Sequence, residues 1–256
     1  MGQTLIDAAL AAGDLKLTGA LEISGSALIG RDMGERSGRT TGVTITADPA
    51  AGVRNADVLI DFTRPEGTLA NLAACAAAKV GAVVGTTGFS EGDKEKMREF
   101  ARIVPIVFAP NMSVGVNVLI KLVEVAAQRL GDDYDVEIVE MHHRHKVDAP
   151  SGTALTLGEA AATALSRDLK SVAVYERAGV TGERPKRAIG FATLRGGDVV
   201  GDHTVIFAGD GERIELTHRA GSRANFARGA LRAARFVAQK RNEPRLYDMQ
   251  DVLGLR

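Results

Sequence analysis

Cysteine is almost absent from this sequence. Cys75 is the only one in 256 residues, which excludes a disulfide framework and a cysteine-rich zinc site. It sits in the alanine-rich run LANLAACAAAK, where a buried, inert thiol is expected rather than a nucleophile. Net charge is absent too. The 32 basic and 32 acidic residues cancel, so no global field draws the chain to nucleic acid or to a membrane surface, and any positive site must be local. No apolar run reaches membrane-spanning length and no basic-apolar-small leader is seen, so the expectation is a soluble cytoplasmic protein. Internal repeats, low-complexity tracts and disordered linkers are also missing.

What is present is an alternation of short apolar runs with helical patterns. VLIDF (58–62), AVVGTT (82–87) and IVFAP (106–110) read as buried strands. Pro65 opens a helix through PEGTLANLAACAAAK, Ser90 is an N-cap for EGDKEKMREFARI, and SVGVNVLIKLVEVAAQRL is a helix ending at Gly131. Strands alternating with helices imply a parallel sheet covered on both faces. After about Gly131 the pattern changes. DVEIVEMHH alternates as a half-buried strand does, SGTALTLGEAAATAL is helical, and residues 188–218 give three strand-like runs joined by Gly/Asp turns. RANFARGALRAARFVAQ returns to a helix whose apolar face can pack on the first domain. The fold class is therefore α/β, a doubly wound parallel sheet followed by a second α+β domain on a mixed open sheet. The expected boundaries are 1–113, 114–222 and a returning segment 223–256.

A second absence concerns the start. Residues 3–12 read as a helix closed by Gly13, and LKLTGALE as a strand ending in Glu22. A helix, a strand and an acid in this order resemble the back half of a dinucleotide-binding unit. Its front half, a strand and a glycine-rich turn, is not in the sequence. In a doubly wound sheet that strand is central, so two strand edges are expected to lack a partner and nucleotide binding by the chain as written is expected to be weak.

Three of the five histidines, an arginine and a lysine lie between His142 and Lys146, directly before the helix-opening Ser151-Gly152-Thr153. Three chemistries suit such a cluster. Three imidazoles could hold a metal, but neighbours on a strand diverge and Arg144 and Lys146 repel a cation. The cluster could be a solvated basic loop. An anion site fits better, because free N–H groups and the dipole at a helix N-terminus attract a carboxylate or phosphate, and a histidine nearby can deliver a proton. GTTG (85–88) and APNMSVGVN (109–117) each follow a strand, where sheet folds place ligand loops.

EMHHRHKVDAPSGTA (140–154), with DFTRPEGT (61–68), VVGTTGFS (83–90), APNMSVGVNV (109–118), TGERPKRAIGFATLRGGDVVGDHTV (181–205) and YDMQDVLGL (247–255), resembles the bacterial 4-hydroxy-tetrahydrodipicolinate (dihydrodipicolinate) reductase family along essentially the whole chain. The resemblance implies an NADH- or NADPH-dependent reduction of a cyclic dicarboxylated imine in diaminopimelate and lysine biosynthesis. Loss of the 4-hydroxyl as water gives a conjugated imine, hydride reaches C4, and the resulting enamine is protonated. His142 is implied as acid/base and Lys146 as proton donor, with His143, Gly152 and Thr153 on the substrate carboxylate. Met1, Glu22, Gly85, Thr86, Thr87, Ala109, Pro110, Asn111 and Met112 are implied as cofactor contacts, with no metal. Many relatives carry arginine where this chain has Ile23, so a preference for NADPH is not implied. The resemblance further implies a homotetramer built through the sheet of residues 188–218. A catalytically silent binding subunit is the alternative.

Overall fold

The computed structural model describes residues 1–256, which divide into two compact units, Met1–Val114 with Ala224–Arg256, and Gly115–Arg223.

In the first unit, α1 (Gly2–Ala11) leads to β1 (Ala20–Leu21), β2 (Ile45–Thr46) and α2 (Pro49–Val53). Then β3 (Val58–Asp61), α3 (Pro65–Ala78), β4 (Gly81–Val84), α4 (Glu91–Ala101) and β5 (Ile106–Phe108) alternate strictly. The local reasons are those the sequence offers. Pro65 occupies the first turn of α3, where its missing N–H costs nothing, and Ser90 and Asp93 form a reciprocal capping box on α4. β4 is buried at every position because both of its faces are covered. Ala82 and Val84 pack with Leu72 and Met97, while Val83 packs with Ala230, Ala233 and Val237.

The central sheet has the order β11 (Leu246–Tyr247)-β5-β4-β3 with every pair parallel, so the loops after β3, β4 and β5 emerge at one end. β1 and β2 form a separate parallel pair. The strand expected over residues 15–22 is thus reduced to two residues, because β1 finds a partner on one side only. β3 also ends the larger sheet. A groove of ≈ 210 Å³ lies between these two edges, lined by Leu17–Leu21 on one wall and Val58–Asp61 on the other.

The second unit contains α5 (Val114–Leu130), β6 (Asp135–His142), α6 (Gly152–Ala164), α7 (Leu169–Val172), β7 (Ala173–Val174), β8 (Ile189–Arg195), β9 (Gly201–Gly209) and β10 (Glu212–Ala220). Its five strands run in the order β10-β9-β6-β8-β7, with β6 parallel to β8 and antiparallel to β9. β6 and β9 alternate buried and half-buried along their length, the pattern of a sheet with one covered face. Leu119 and Val123 of α5 and Leu157 and Ala161 of α6 cover it, against Val136, Ile138, Phe191 and Phe207.

The chain then returns to the first unit. α8 (Ala224–Gln239) lays its alanine-rich stripe on β4 and β5, and β11 (Leu246–Tyr247) and α9 (Met249–Leu253) complete that layer. A Cβ at Gly229 would stand 1.7 Å from the Met112 carbonyl oxygen, so α8 approaches the loop after β5 closely only because residue 229 is glycine.

Candidate active site

β6 carries the histidine cluster to the end of its sheet. His142 is its last residue and is buried, whereas His143 and Lys146 are half-buried and Arg144 and His145 exposed. The loop after the strand is pinned by its backbone. Gly196 N–H donates to the His142 carbonyl at 3.0 Å, Arg144 N–H to Gly197 at 3.3 Å, and Lys146 N–H back to His143 at 3.1 Å. Lys146 Nζ meets both carboxylate oxygens of Asp148, at 2.8 and 2.9 Å. That ammonium, before any other cause, holds the Asp148 carboxyl below its ordinary range.

Ser151 caps α6, its hydroxyl accepting from Ala154 N–H at 3.1 Å. The first helical residue, Gly152, is exposed, and a Cβ there would meet no atom within 4 Å. The positive end of the α6 dipole is therefore open to a ligand beside the cationic loop. His142, His143, Lys146, Gly152 and Thr153 all belong to this one strand-loop-helix passage.

Several residues that the sequence reading left without a role surround it. Glu140, 1% exposed, accepts from Arg195 at 2.8 and 3.0 Å and from Ser151 N–H at 3.0 Å, and its Oε2 lies 2.6 Å from His142 Nδ1. Burial pushes this carboxyl up, but the bonds from Arg195, His142 and Ser151 outweigh it and hold the group below the usual range. His203, also buried, shares a 2.9 Å contact with Ser151 Oγ and packs edge-on to His142 with ring centroids 5.1 Å apart. The alternation of β6 could have singled out Glu140, since an acid on the covered face of a strand needs a partner. Nothing local in the sequence pairs it with Arg195, 55 residues away. No group of three His, Cys, Asp or Glu side chains is arranged around a metal position.

The first unit presents the predicted nucleotide contacts at strand ends. Glu22 follows β1 and is exposed, as is Ile23. Gly85 follows β4, and a Cβ there would lie 2.3 Å from the Phe62 ring, so any larger residue would have to displace that ring. Thr87 and Gly88 are exposed, with Gly88 at φ +86° and open space around its Cα. Thr86 turns inward instead: it is 3% exposed and its hydroxyl donates to Asp61. Asp61, 2% exposed, also accepts from Thr63 N–H at 2.8 Å and Asn71 Nδ2 at 2.7 Å, tying the β3 and β4 loops together. Ala109 is buried and Pro110 exposed, and Asn111 Oδ1 accepts from Ser113 N–H at 2.9 Å. Met112 is a core residue packed under α8, with its carbonyl oxygen against Gly229. Met1 occupies the N-cap position of α1. An open glycine backbone at the ends of parallel strands suits a dinucleotide.

Comparison with known proteins gives one answer over the length of the chain. The family described as "Dihydrodipicolinate reductase, N-terminus" matches residues 1–112, and "Dihydrodipicolinate reductase, C-terminus" matches residues 115–253. Curated relatives called 4-hydroxy-tetrahydrodipicolinate reductase from Aromatoleum aromaticum and Thiobacillus denitrificans are each 59% identical over 256 residues. The matches cover 100% of this chain and 92% and 95% of the relatives. Among solved structures, a dipicolinate-bound dihydrodipicolinate reductase from Paenisporosarcina sp. TG-14 superposes with a TM-score of 0.74 at 22% identity, covering 98% of this chain and 94% of the other. An amine dehydrogenase from Mycobacterium smegmatis shares the fold more distantly, at a TM-score of 0.57 and 12% identity over 93% of this chain and 89% of the other. On these matches the chain belongs to the dihydrodipicolinate (4-hydroxy-tetrahydrodipicolinate) reductase family.

Proposed function

We propose that this chain reduces 4-hydroxy-tetrahydrodipicolinate to tetrahydrodipicolinate with NADH or NADPH, a step of diaminopimelate and lysine biosynthesis. The observation that carries the reading is the passage from His142 to Thr153. A buried imidazole and a lysine stand beside an uncovered helix N-terminus, which matches a dicarboxylate that must receive a proton.

In this reading the backbone at Gly152 and Thr153, with His143, binds a substrate carboxylate. A bound nicotinamide nucleotide supplies hydride, and Glu22, the Gly85–Thr87 loop and Ala109–Asn111 would hold it. Hydride addition pushes negative charge into the substrate ring. His142 and Lys146 offset that charge where it develops and supply the proton that completes the reduction. Lys146 exchanges its Asp148 partner for the substrate as it does so.

The uncovered face of the second-unit sheet supports a homotetramer. Met141, Leu194 and Ile206 lie on that face, and Leu194 is exposed. An apolar strip of this kind is stabilised by a partner copy. Sedimentation at micromolar concentration should report a tetramer, and a stable monomer would contradict it.

The test of function is turnover by the purified chain with NADH and freshly generated 4-hydroxy-tetrahydrodipicolinate. Loss of NADH absorbance dependent on both reactants is expected. A folded chain with neither turnover nor a saturable NADH fluorescence change would favour the silent binding subunit.

A further inference from the structure

We propose that Glu140 is a positioning residue, holding the His142 imidazole with its proton on Nδ1 and tying it to the N-terminus of α6. The proposal deepens the reductase reading and rests on it for the role of His142.

Carboxylates are seldom fully buried without partners, and Glu140 has two at each oxygen. Oε2 faces His142 Nδ1 at 2.6 Å and Arg195 Nη1 at 2.8 Å. Oε1 accepts from Arg195 Nη2 and Ser151 N–H, both at 3.0 Å. The parallel fork of Arg195 supplies the countercharge that keeps the carboxylate ionised in a buried place. An ionised carboxylate only accepts hydrogen bonds, so the hydrogen between Glu140 and His142 belongs to Nδ1. Nε2 is then the nitrogen left for proton exchange. Gly201 packs against that edge of the ring, where a Cβ would stand 2.9 Å from Nε2, so a side chain at residue 201 would press on that nitrogen.

The consequence is a proton transfer that needs no rearrangement of the base. The imidazolium gives up its Nε2 proton, the N–H bonding pair returns to Nε2, and the substrate carbon gains the C–H bond. What remains is the neutral ring with hydrogen on Nδ1, the form that Glu140 binds. The same carboxylate accepts the N–H of Ser151, the residue that caps α6. One buried group therefore fixes both the proton donor and the start of the helix that would hold the substrate carboxylate.

Side-chain ¹⁵N NMR of the full chain, at a pH where His142 is neutral, reads the tautomer directly; His142→Gln assigns the resonance. Hydrogen on Nδ1 is expected in the wild type. In Glu140→Gln the amide oxygen can stay with Ser151 N–H and Arg195 Nη2 while the NH₂ group turns to His142. Nδ1 must then accept, and the hydrogen moves to Nε2. With that switch, kcat should fall about a hundredfold, the scale of a positioned proton donor, while KM for the substrate stays within about threefold. Wild-type His142 carrying its hydrogen on Nε2 would overturn the proposal without any variant being needed. An unchanged tautomer or an unchanged kcat in folded Glu140→Gln would also overturn it. A wild-type chain inactive on the substrate, yet showing the Nδ1 tautomer and its switch, would instead sink the reductase reading and leave the positioning role standing.

Discussion

Ser151 Oγ lies 2.9 Å from His203 Nε2 and 3.1 Å from Ala154 N, so one hydroxyl serves a buried imidazole and the first turn of α6 together. The hydroxyl accepts the helix N–H and shares a hydrogen bond with the ring. Ser151→Ala removes both bonds in a residue only 2% exposed. Loss of a cap costs about 1 kcal/mol and an unsatisfied buried nitrogen about 1–3 kcal/mol more. Urea denaturation should show a loss in that range, with Ser151→Thr milder.

His203 also makes stability depend on pH. Burial, and after it the nearby His142, pull its pKa from 6.5 down to about 4. Between those values the unfolded chain binds a proton that the folded chain refuses. The contribution is therefore complete above about pH 6.5 and is lost as pH falls towards 4, amounting to the order of 3 kcal/mol. His218, lowered by burial, acts in the same direction. Carboxylates held below their ordinary range, such as Glu140, are lost only in a more acidic window. Melting temperature should fall from pH 7 to pH 4.5, and His203→Gln should flatten that slope.

Much of the fold was legible because local signals agreed. The Ser90–Asp93 box, Pro65 at the first turn of α3 and the Gly131 stop all fall where the sequence places helix ends. The strand over residues 15–22 was read too long because its length depends on a neighbour, and β1 has one only at β2. In the candidate site, the HHRHK and SGT residues stood out by composition. Glu140 and Asp61 did not, because a buried acid is defined by distant partners: Arg195 for one, Asn71 and Thr86 for the other. Thr86 shows the same limit from the other side, since a polar residue in a ligand loop can turn into the core.

Steady-state kinetics should separate the two ends of the β6–α6 passage. On the proposed reductase reading, His142→Gln removes a proton donor that acts in the transition state, so kcat should drop by about two orders of magnitude. On the same reading, Thr153→Val alters the proposed substrate carboxylate site and should mainly raise KM. An unchanged kcat in His142→Gln would remove that residue from the chemical step.

Cofactor choice should lean away from NADPH. Glu22 is exposed beyond β1 and can accept hydrogen bonds from ribose hydroxyls, but it repels a 2′-phosphate. Ile23, 74% exposed, brings no compensating charge. NADH should be used at least as efficiently, and a kcat/KM for NADPH more than about tenfold higher, some 1.4 kcal/mol, would contradict this.

The groove between β1 and β3 should behave as a strand-shaped gap rather than a ligand pocket. Gly81 N–H and Gly85 N–H bond to Asp57 and Asp61, so the intervening Val58 and Ile60 direct their backbone groups away from β4, towards the groove. Glu22 N–H bonds to Thr46, which leaves Gly19 and Leu21 facing the groove from the other wall. Leu5, Leu17, Leu21 and Ile60 around it are only half-buried. β2, α2 and β3 form a crossover of the kind that joins parallel strands, so a single parallel strand could bond to both walls and join the two sheets. Hydrogen exchange should be fast at Val58, Ile60 and Leu21 and slow at Leu59, which faces β4. A five-residue apolar strand grafted ahead of Met1 through a glycine turn should protect the first three and leave Leu59 unchanged. At about 1 kcal/mol for each of several new bonds, Tm should rise by roughly 5–10 °C. Equal exchange at those amides with and without the graft would mean that the groove does not accept a strand.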